Sequence, residues 1–518
     1  MKFVKIKQKI NKERRIEMKK KRFFKRMFAG ILAGAIGISA CGCGNKQQAV
    51  KDEDPNTVPK DTYEINWYLP ATAPKEIAVV ENEINAYIKD KINATVKINC
   101  LENAQYSEKL SNMIMAGEYF DIAFCANWML DYFVNAENGA FVELDSLFDK
   151  YMPKTHELSD KACLDCARVG GKVYALPVIK ESASAYGWIY RKDLADKYNI
   201  DMSKIKTFEE LIPVLKTIKE NEPDIKYPIN WALDQTPGDS ALIPFNVITG
   251  YNVGYRRDDD SFSIMNKLDV PEIMDDFELA HRFYKEGLVK EDILTNYSDT
   301  TQRLNNGQTF CALFPLKPGK VEETFGDSRY KFAQEFVTEP RKGTTIGVSS
   351  MNAISSTSKN PARVARFLEL LNTDKYLYNL VIYGIEGKHY TKVSDNVIKL
   401  IPNSGYDMST NQWMIGNVYN AYTKDTENPD KYVELKNFDD SATVSAICGF
   451  RFVTEPVQAE IAACKAVEKQ FETQIALGAI DPTTVIDEYR KNLESSGINK
   501  IIEEVQKQIN EFLADKNK

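Results

Sequence analysis

Few side chains in this sequence could do covalent chemistry. Cysteine occurs nine times and histidine three times. Cys163-Leu-Asp-Cys166 has the spacing of a metal or redox pair, but no second Cys-x-x-Cys and no histidine pair follow at zinc-site distance. These thiols are therefore expected as small apolar residues in a core. His156, His281 and His389 are scattered, and His281 sits in the amphipathic stretch "DDFELAHRFYKEGL". The chain holds no His-Glu-x-x-His, Gly-x-Ser-x-Gly, P-loop or Gly-x-Gly-x-x-Gly phrase. Asp258-Asp259-Asp260 reads as a solvated turn, because metal ligands converge from several positions. Carboxylate pairs for glycoside hydrolysis stay open, since such pairs are matched in space and not along the chain. The expectation is no catalytic residue, no metal and no cofactor.

The remaining chemistry is non-covalent. Aromatic residues make up 11% of the chain, enough for stacking surfaces as well as core. Tyr63, Ile65, Trp67 and Leu69 alternate with Glu64, Asn66 and Tyr68, the period of a strand closed by Pro70. Ile77, Val80, Ile84, Tyr87 and Ile88 then fall at helical spacing. Ala94 to Cys100 reads as a second strand, Gln105 to Ala116 as a helix, and "FDIAFC" as a third strand. Short links in this order imply parallel pairing through right-handed crossovers. Open α/β sheets bind ligands beyond the carboxyl ends of their strands. Trp67 and Tyr68 end the first strand and Asn127 and Trp128 follow the third, so all four are expected at one crevice. Core packing competes for Trp67, which shares the parity of Ile65 and Leu69.

The N-terminus carries a different signal. Residues 1 to 40 hold 13 Lys/Arg against 2 Glu, and Met27 to Ala40 runs 14 residues without a charge. This is the outline of a signal peptide, shorter than the roughly 20 apolar residues of a spanning helix. Translation from Met18 would supply the basic region as well as translation from Met1. Ile38-Ser39-Ala40-Cys41 resembles a bacterial lipobox, whose cysteine becomes a diacylglyceryl-modified N-terminus; Cys43 is the poorer alternative, lacking a large aliphatic residue three positions upstream. Two acyl chains reach the threshold for stable anchoring. Residues 41–60 are polar and contain Pro55 and Pro59, the composition of a flexible spacer. Beyond residue 40 the chain has 54 basic and 72 acidic residues, a net charge of −18. That balance argues against nucleic acid or anionic lipid as the main partner.

Three phrases resemble the extracellular solute-binding proteins of bacterial ABC importers. "GGKVYALPVIKESASAYGWIYRKDL", residues 170–194, is similar to the first crossing between lobes in that family. "GVSSMNAISSTSKNPARVARFLELLNTDKYLYNLVIYGIEGKHY", from Gly347, resembles the return to the first lobe. "CGFRFVTEPVQAEIAACKAV", from Cys448, resembles the C-terminal region of a lipoprotein subgroup tied to oligosaccharide uptake. Local physics agrees with helices there: Asn360 is a good N-cap, Pro361 suits the first turn, and Val364, Phe367, Leu368 and Leu371 form one stripe. Ile498, Ile501, Ile502, Val505, Ile509, Phe512 and Leu513 make the last helix one-faced in the same way.

The resemblance implies an α/β protein of periplasmic-binding-protein architecture, two lobes around a cleft joined by hinge crossings. Residues 61–178 would begin the first lobe and 179–337 build the second. Residues 338–405 would return to the first, and 406–518 would finish the second with helices. It also implies a monomer lipid-anchored on the extracytoplasmic face of the cell membrane, a sugar or oligosaccharide as small-molecule ligand, and ABC permease subunits as partners. A surface-anchored carbohydrate-active hydrolase, or a binding protein for peptides or another polar solute, are the alternatives. Sugar rings offer apolar C–H faces and hydroxyl edges, so their sites combine aromatic platforms with amides, carboxylates and guanidinium groups. The platform candidates are Trp67, Tyr68, Trp128, Tyr186, Trp188, Trp231 and Trp413. The polar candidates are Asn127, Glu181, Asn230 and Arg451. Core packing competes for each ring, a surface hinge role for Glu181, and pairing with Glu455 for Arg451.

Overall fold

Apolar alternation builds the first sheet. Tyr63–Pro70 pairs in parallel with Ala94–Leu101 from Tyr63 opposite Ala94 to Pro70 opposite Leu101, and with Ile122–Cys125 on its other edge. Helices Ile77–Ile92 and Asn103–Ala116 make the two crossovers. Met351–Ile354 then lies antiparallel to Ile122–Cys125, and Ala175–Pro177 closes the five-stranded sheet. The computed structural model describes residues 53–516 apart from 233–234, 240–241, 249–251, 260 and 296–298. The signal segment, Cys41, Cys43 and the spacer up to residue 52 lie outside the described residues. Helix Pro361–Thr373 covers this sheet: the Asn360 side chain accepts from the Arg363 amide at 3.1 Å, and Phe367 meets Trp67 edge to face.

The second lobe is organised on Ala185–Arg191, which runs antiparallel between Cys311–Leu316 and Phe332–Phe336. One face of this sheet packs with Phe208, Leu211, Leu215 and Phe283, the other with Leu304 and Phe325. Strands Phe245–Val247, Val253–Arg256 and Ile264–Asn266 share a further core with the C-terminal helices Gln458–Ala476, Ile486–Ser495 and Ile498–Lys516. The last helix buries Ile498, Ile501, Val505 and Ile509.

Among the described residues the chain crosses between lobes three times. The first crossing lies between Pro177 and Ala185, and the second between Phe336 and Ile346. The third was expected near residue 406, and the structure corrects it. Tyr406, Met408, Met414, Ile415 and Tyr422 are buried in the first-lobe core, and the Tyr406 hydroxyl donates to the Val381 carbonyl at 2.6 Å. Thr423–Lys424 also pairs with Val397–Leu400. These apolar side chains complete the first lobe, so the chain leaves it only after helix Lys431–Asp440, where Thr443–Val444 pairs in parallel with Arg341–Lys342.

A second correction concerns residues 53–60, expected as part of the free spacer. Glu53 accepts from Arg363 Nε at 2.9 Å, Arg363 Nη2 at 2.7 Å and Asn360 Nδ2 at 2.6 Å. The Arg363 side chain has no exposed surface. A fully buried guanidinium needs such a partner, and this one fixes the chain to the first lobe at residue 53.

Candidate ligand cleft

The C-terminal end of Cys311–Leu316 and the segment Ile346–Ser350 meet the first crossing at one place. Two adjoining cavities of about 250 and 290 Å³ open there, and both are lined by Lys180, Glu181, Lys317 and Glu323. The first lobe contributes Ser349, Ser350 and Trp413; the second contributes Lys317 and Glu323; the crossing contributes Glu181.

The charges form a compact ladder. Lys317 Nζ lies 2.9 Å from Glu181 Oε1 and 2.8 Å from Glu323 Oε2, and Lys320 lies 3.1 Å from Glu323. Burial pushes the Glu181 carboxyl up, but the Lys317 and Lys180 charges outweigh it and hold it below the usual carboxylate range. Burial likewise opposes the charge on Lys317, and Glu181 and Glu323 overcome it to keep the ammonium well above its ordinary value. The result is an ionised acceptor beside an ionised donor, a pairing able to read hydroxyl groups.

Aromatic rings stand next to the ladder. Trp413 meets Phe124 at 5.4 Å and 87°, and Trp128 at 6.0 Å and 33°. Trp128 is 56% exposed and its Nε1 donates to the Ser349 carbonyl at 2.9 Å. Ser350 Oγ donates to the Trp413 carbonyl at 2.5 Å, which fixes the backbone beneath the second indole. Gln412 joins Tyr432 and Tyr383, accepting from the first at 2.8 Å and donating to the second at 2.9 Å.

Of the sequence candidates, Glu181 and Trp413 line these cavities, and Trp128, which lines neither, adjoins them through Trp413 and the Ser349 carbonyl. Asn127 is exposed beside Trp128, and its amide donates to the Val348 carbonyl. Tyr186 lines a neighbouring cavity of about 370 Å³ that meets the cleft at Ser184 and also contains Arg257 and Arg341.

The other candidates sit elsewhere. Trp67, Trp188 and Trp231 have no exposed surface. Trp67 takes the core parity of Ile65 and Leu69 and donates to Asn352 Oδ1 at 3.4 Å. Trp188 lies edge to face on Phe208 and donates to the Ile205 carbonyl at 2.8 Å, and Trp231 packs on Phe283. Asn230 is buried and donates to Asp299 and Thr300. Tyr68 is half-buried against Phe120 and lines neither cavity of the cleft. Arg451 pairs with Glu137 at 2.6 Å, not with Glu455, and stands over the Phe133 ring at 4.7 Å. For Trp67, Trp188, Trp231 and Asn230, packing neighbours take up the surface a ligand would need.

Lys317, Glu323, Ser349, Ser350, Gln412 and Tyr432 were not anticipated. Lys317 directly follows the apolar strand Cys311–Leu316, but that strand is antiparallel to its neighbour, so the strand-end rule of parallel sheets does not select it. Cys163 and Cys166 are buried, and among the described residues no cluster of His, Cys, Asp and Glu could hold a metal ion.

Comparison with known proteins matches residues 73–378 to the bacterial extracellular solute-binding protein family and residues 446–514 to a domain of unknown function, DUF3502. A carbohydrate ABC transporter substrate-binding protein of Streptococcus pneumoniae serotype 4 is 30% identical over 499 residues, covering 94% of this chain and 98% of that protein. The crystal structure of the N-glycan transport solute binding protein NgtS from Streptococcus pneumoniae aligns with a TM-score of 0.78 at 28% identity, over 88% of this chain and all of that one. NgtS in complex with Man5GlcNAc aligns with a TM-score of 0.63 at 28% identity, over 88% of this chain and 99% of that one. With the family model covering more than half of the sequence and the relative nearly all of it, the chain belongs to the bacterial extracellular solute-binding proteins.

Proposed function

We propose that this protein captures an oligosaccharide in the cleft between its lobes and delivers it to an ABC permease. The observation that carries this reading is that Trp413 lines the same cavity as the ionised Glu181–Lys317 pair and is extended by the half-exposed indole of Trp128. Indoles offer the apolar face a sugar ring stacks on, and the charged pair offers an acceptor and a donor for its hydroxyls. The naming of the pneumococcal relatives for carbohydrate and N-glycan transport supports the same ligand class.

Closure of the lobes on the ligand follows from the architecture. The alignment with NgtS falls from a TM-score of 0.78 to 0.67 and 0.63 for its complexes with Man1GlcNAc and Man5GlcNAc, at 28%, 29% and 28% identity. The three alignments differ little in sequence identity, and the backbone of this chain superposes best on the first of them.

Residues 1–40 act as a lipoprotein signal peptide in this reading, and Cys41 carries the diacylglyceryl anchor that keeps the receptor at the membrane near its permease. Mass spectrometry of membrane-extracted protein is expected to give an acylated peptide beginning at Cys41. Unchanged membrane retention of Cys41→Ser would remove the assignment.

The ligand is tested by a thermal-shift screen against neutral and acidic oligosaccharides, including Man5GlcNAc, since a ligand bound only by the native state raises apparent stability by mass action. At least one oligosaccharide is expected to stabilise the protein and to be recovered intact. Shorter products over multiple turnovers would make the protein a hydrolase, and a response only to peptides would change the ligand class.

A further inference from the structure

Three backbone segments run between the lobes, and one buried ion-paired cluster joins them. Asp439, at the end of helix Lys431–Asp440, accepts on Oδ1 from the Ser182 amide at 2.7 Å, the Ala183 amide at 2.8 Å and Ser182 Oγ at 3.2 Å. Its Oδ2 lies 2.8 Å from Lys342 Nζ, and Lys342 also reaches Asp160 Oδ2 at 2.5 Å. Ser182 and Ala183 belong to the first crossing, Lys342 to the second, and Asp439 stands directly before the third. Asp160 is the N-cap of the first-lobe helix Lys161–Cys166, accepting from the Ala162 amide at 2.7 Å. Lys342 is only 5% exposed and Asp439 7%.

A buried ion pair is costly to desolvate, and replacement by apolar side chains is often neutral or stabilising, so stability alone does not account for one. Its best-attested use is to impose a unique geometry. The geometry imposed here is that of residues 182 and 183, directly after Glu181, whose carboxylate lines the cleft. We propose that Asp439 is a positioning residue for ligand binding: by holding Ser182 and Ala183 it sets Glu181 at the cleft wall, and through Lys342 it makes the three crossings move as one. This rests on the cleft reading above and adds a residue that touches no ligand.

The test separates positioning from general stability. Man5GlcNAc is titrated calorimetrically into wild type, Asp439→Ala, Glu181→Gln and the double variant, with folding checked by circular dichroism. Asp439→Ala is expected to weaken binding about tenfold in the wild-type background and less than about twofold in Glu181→Gln, because residues acting through one another are not additive. Asp439→Asn keeps the acceptor oxygen for Ser182 and Ala183 and is expected to recover most of the affinity. A folded Asp439→Ala that binds like wild type, or whose loss adds in full to that of Glu181→Gln, overturns the proposal.

Hydrogen exchange on the ligand-free chain decides the matter if Man5GlcNAc does not bind, an outcome that counts against that one sugar and not against the positioning role. The Ser182 and Ala183 amides should exchange about tenfold faster in Asp439→Ala, with protection kept in Asp439→Asn and unchanged in Tyr63–Pro70. Equal rates at Ser182 and Ala183 in wild type and Asp439→Ala overturn the proposal without any ligand. Should Asp439→Ala fail to fold, Asp439→Ser and Lys342→Gln carry the same two measurements.

Discussion

The indoles of Trp128 and Trp413 lie 6.0 Å apart with their planes 33° from parallel, although one follows the third strand and the other belongs to the short helical segment Ser409–Met414. Phe124 supports Trp413 from its edge. The pair therefore has one side held by the core and another available to a ligand, as an aromatic platform requires.

Trp188 shows the opposite arrangement, and its substitution should read as a loss of stability. Removing a fully buried indole leaves a cavity beside Phe208 and an unused acceptor at Ile205. Trp188→Ala is expected to lower unfolding free energy by about 3–5 kcal/mol, measured by urea denaturation. A change below about 1 kcal/mol would contradict the core assignment.

Glu181 and Lys317 give a pH-dependent signature. The Glu181 carboxyl is held below the usual range, so it stays ionised and wild-type affinity for a stabilising oligosaccharide should be nearly flat between about pH 7 and pH 5. Lys317→Met removes the largest opposing charge and leaves burial to raise the carboxyl. Affinity of this variant should fall as pH drops across that window, seen by calorimetry at several pH values. Parallel flat profiles for both proteins would exclude Glu181 as an ionised acceptor.

The Glu53–Arg363 pair sets an acid limb on stability. Burial raises the Glu53 carboxyl, but hydrogen bonds and charge from Arg363, with help from Asn360 and Arg366, bring it below its ordinary value. The unfolded chain then binds this proton more readily than the folded one. The stabilisation is complete above the unfolded carboxylate pKa and is lost as pH falls through the folded value. Glu53→Gln should cost about 3 kcal/mol at neutral pH, as expected for breaking a buried pair, and should flatten the fall in stability toward acid. An unchanged acid limb in urea unfolding would rule the pair out as its source.

The sequence makes local structure readable and long-range burial much less so. Alternation from Tyr63 to Pro70 and the Asn360–Pro361 helix start are local signals, and both elements form as their spacing implies. Trp67 and Trp128 differ in what packs against them from distant segments. Phe367 closes over Trp67, whereas Trp128 keeps 56% of its surface. The third crossing lies beyond the expected residue 406 for the same reason: Tyr406, Met414 and Ile415 fill a core built by helices before them. Lys317 and Asp439 acquire their roles only when strand ends and crossings meet in space.

The central claim is that the cleft binds an oligosaccharide against the Trp128–Trp413 pair. Its most direct test is calorimetric titration of Man5GlcNAc, or of the best oligosaccharide from the thermal screen, into wild type, Trp128→Ala and Trp413→Ala. Saturable binding by wild type is expected, weakened about tenfold or more in each folded variant through lost stacking and burial. Wild-type affinity in both folded variants would contradict the account.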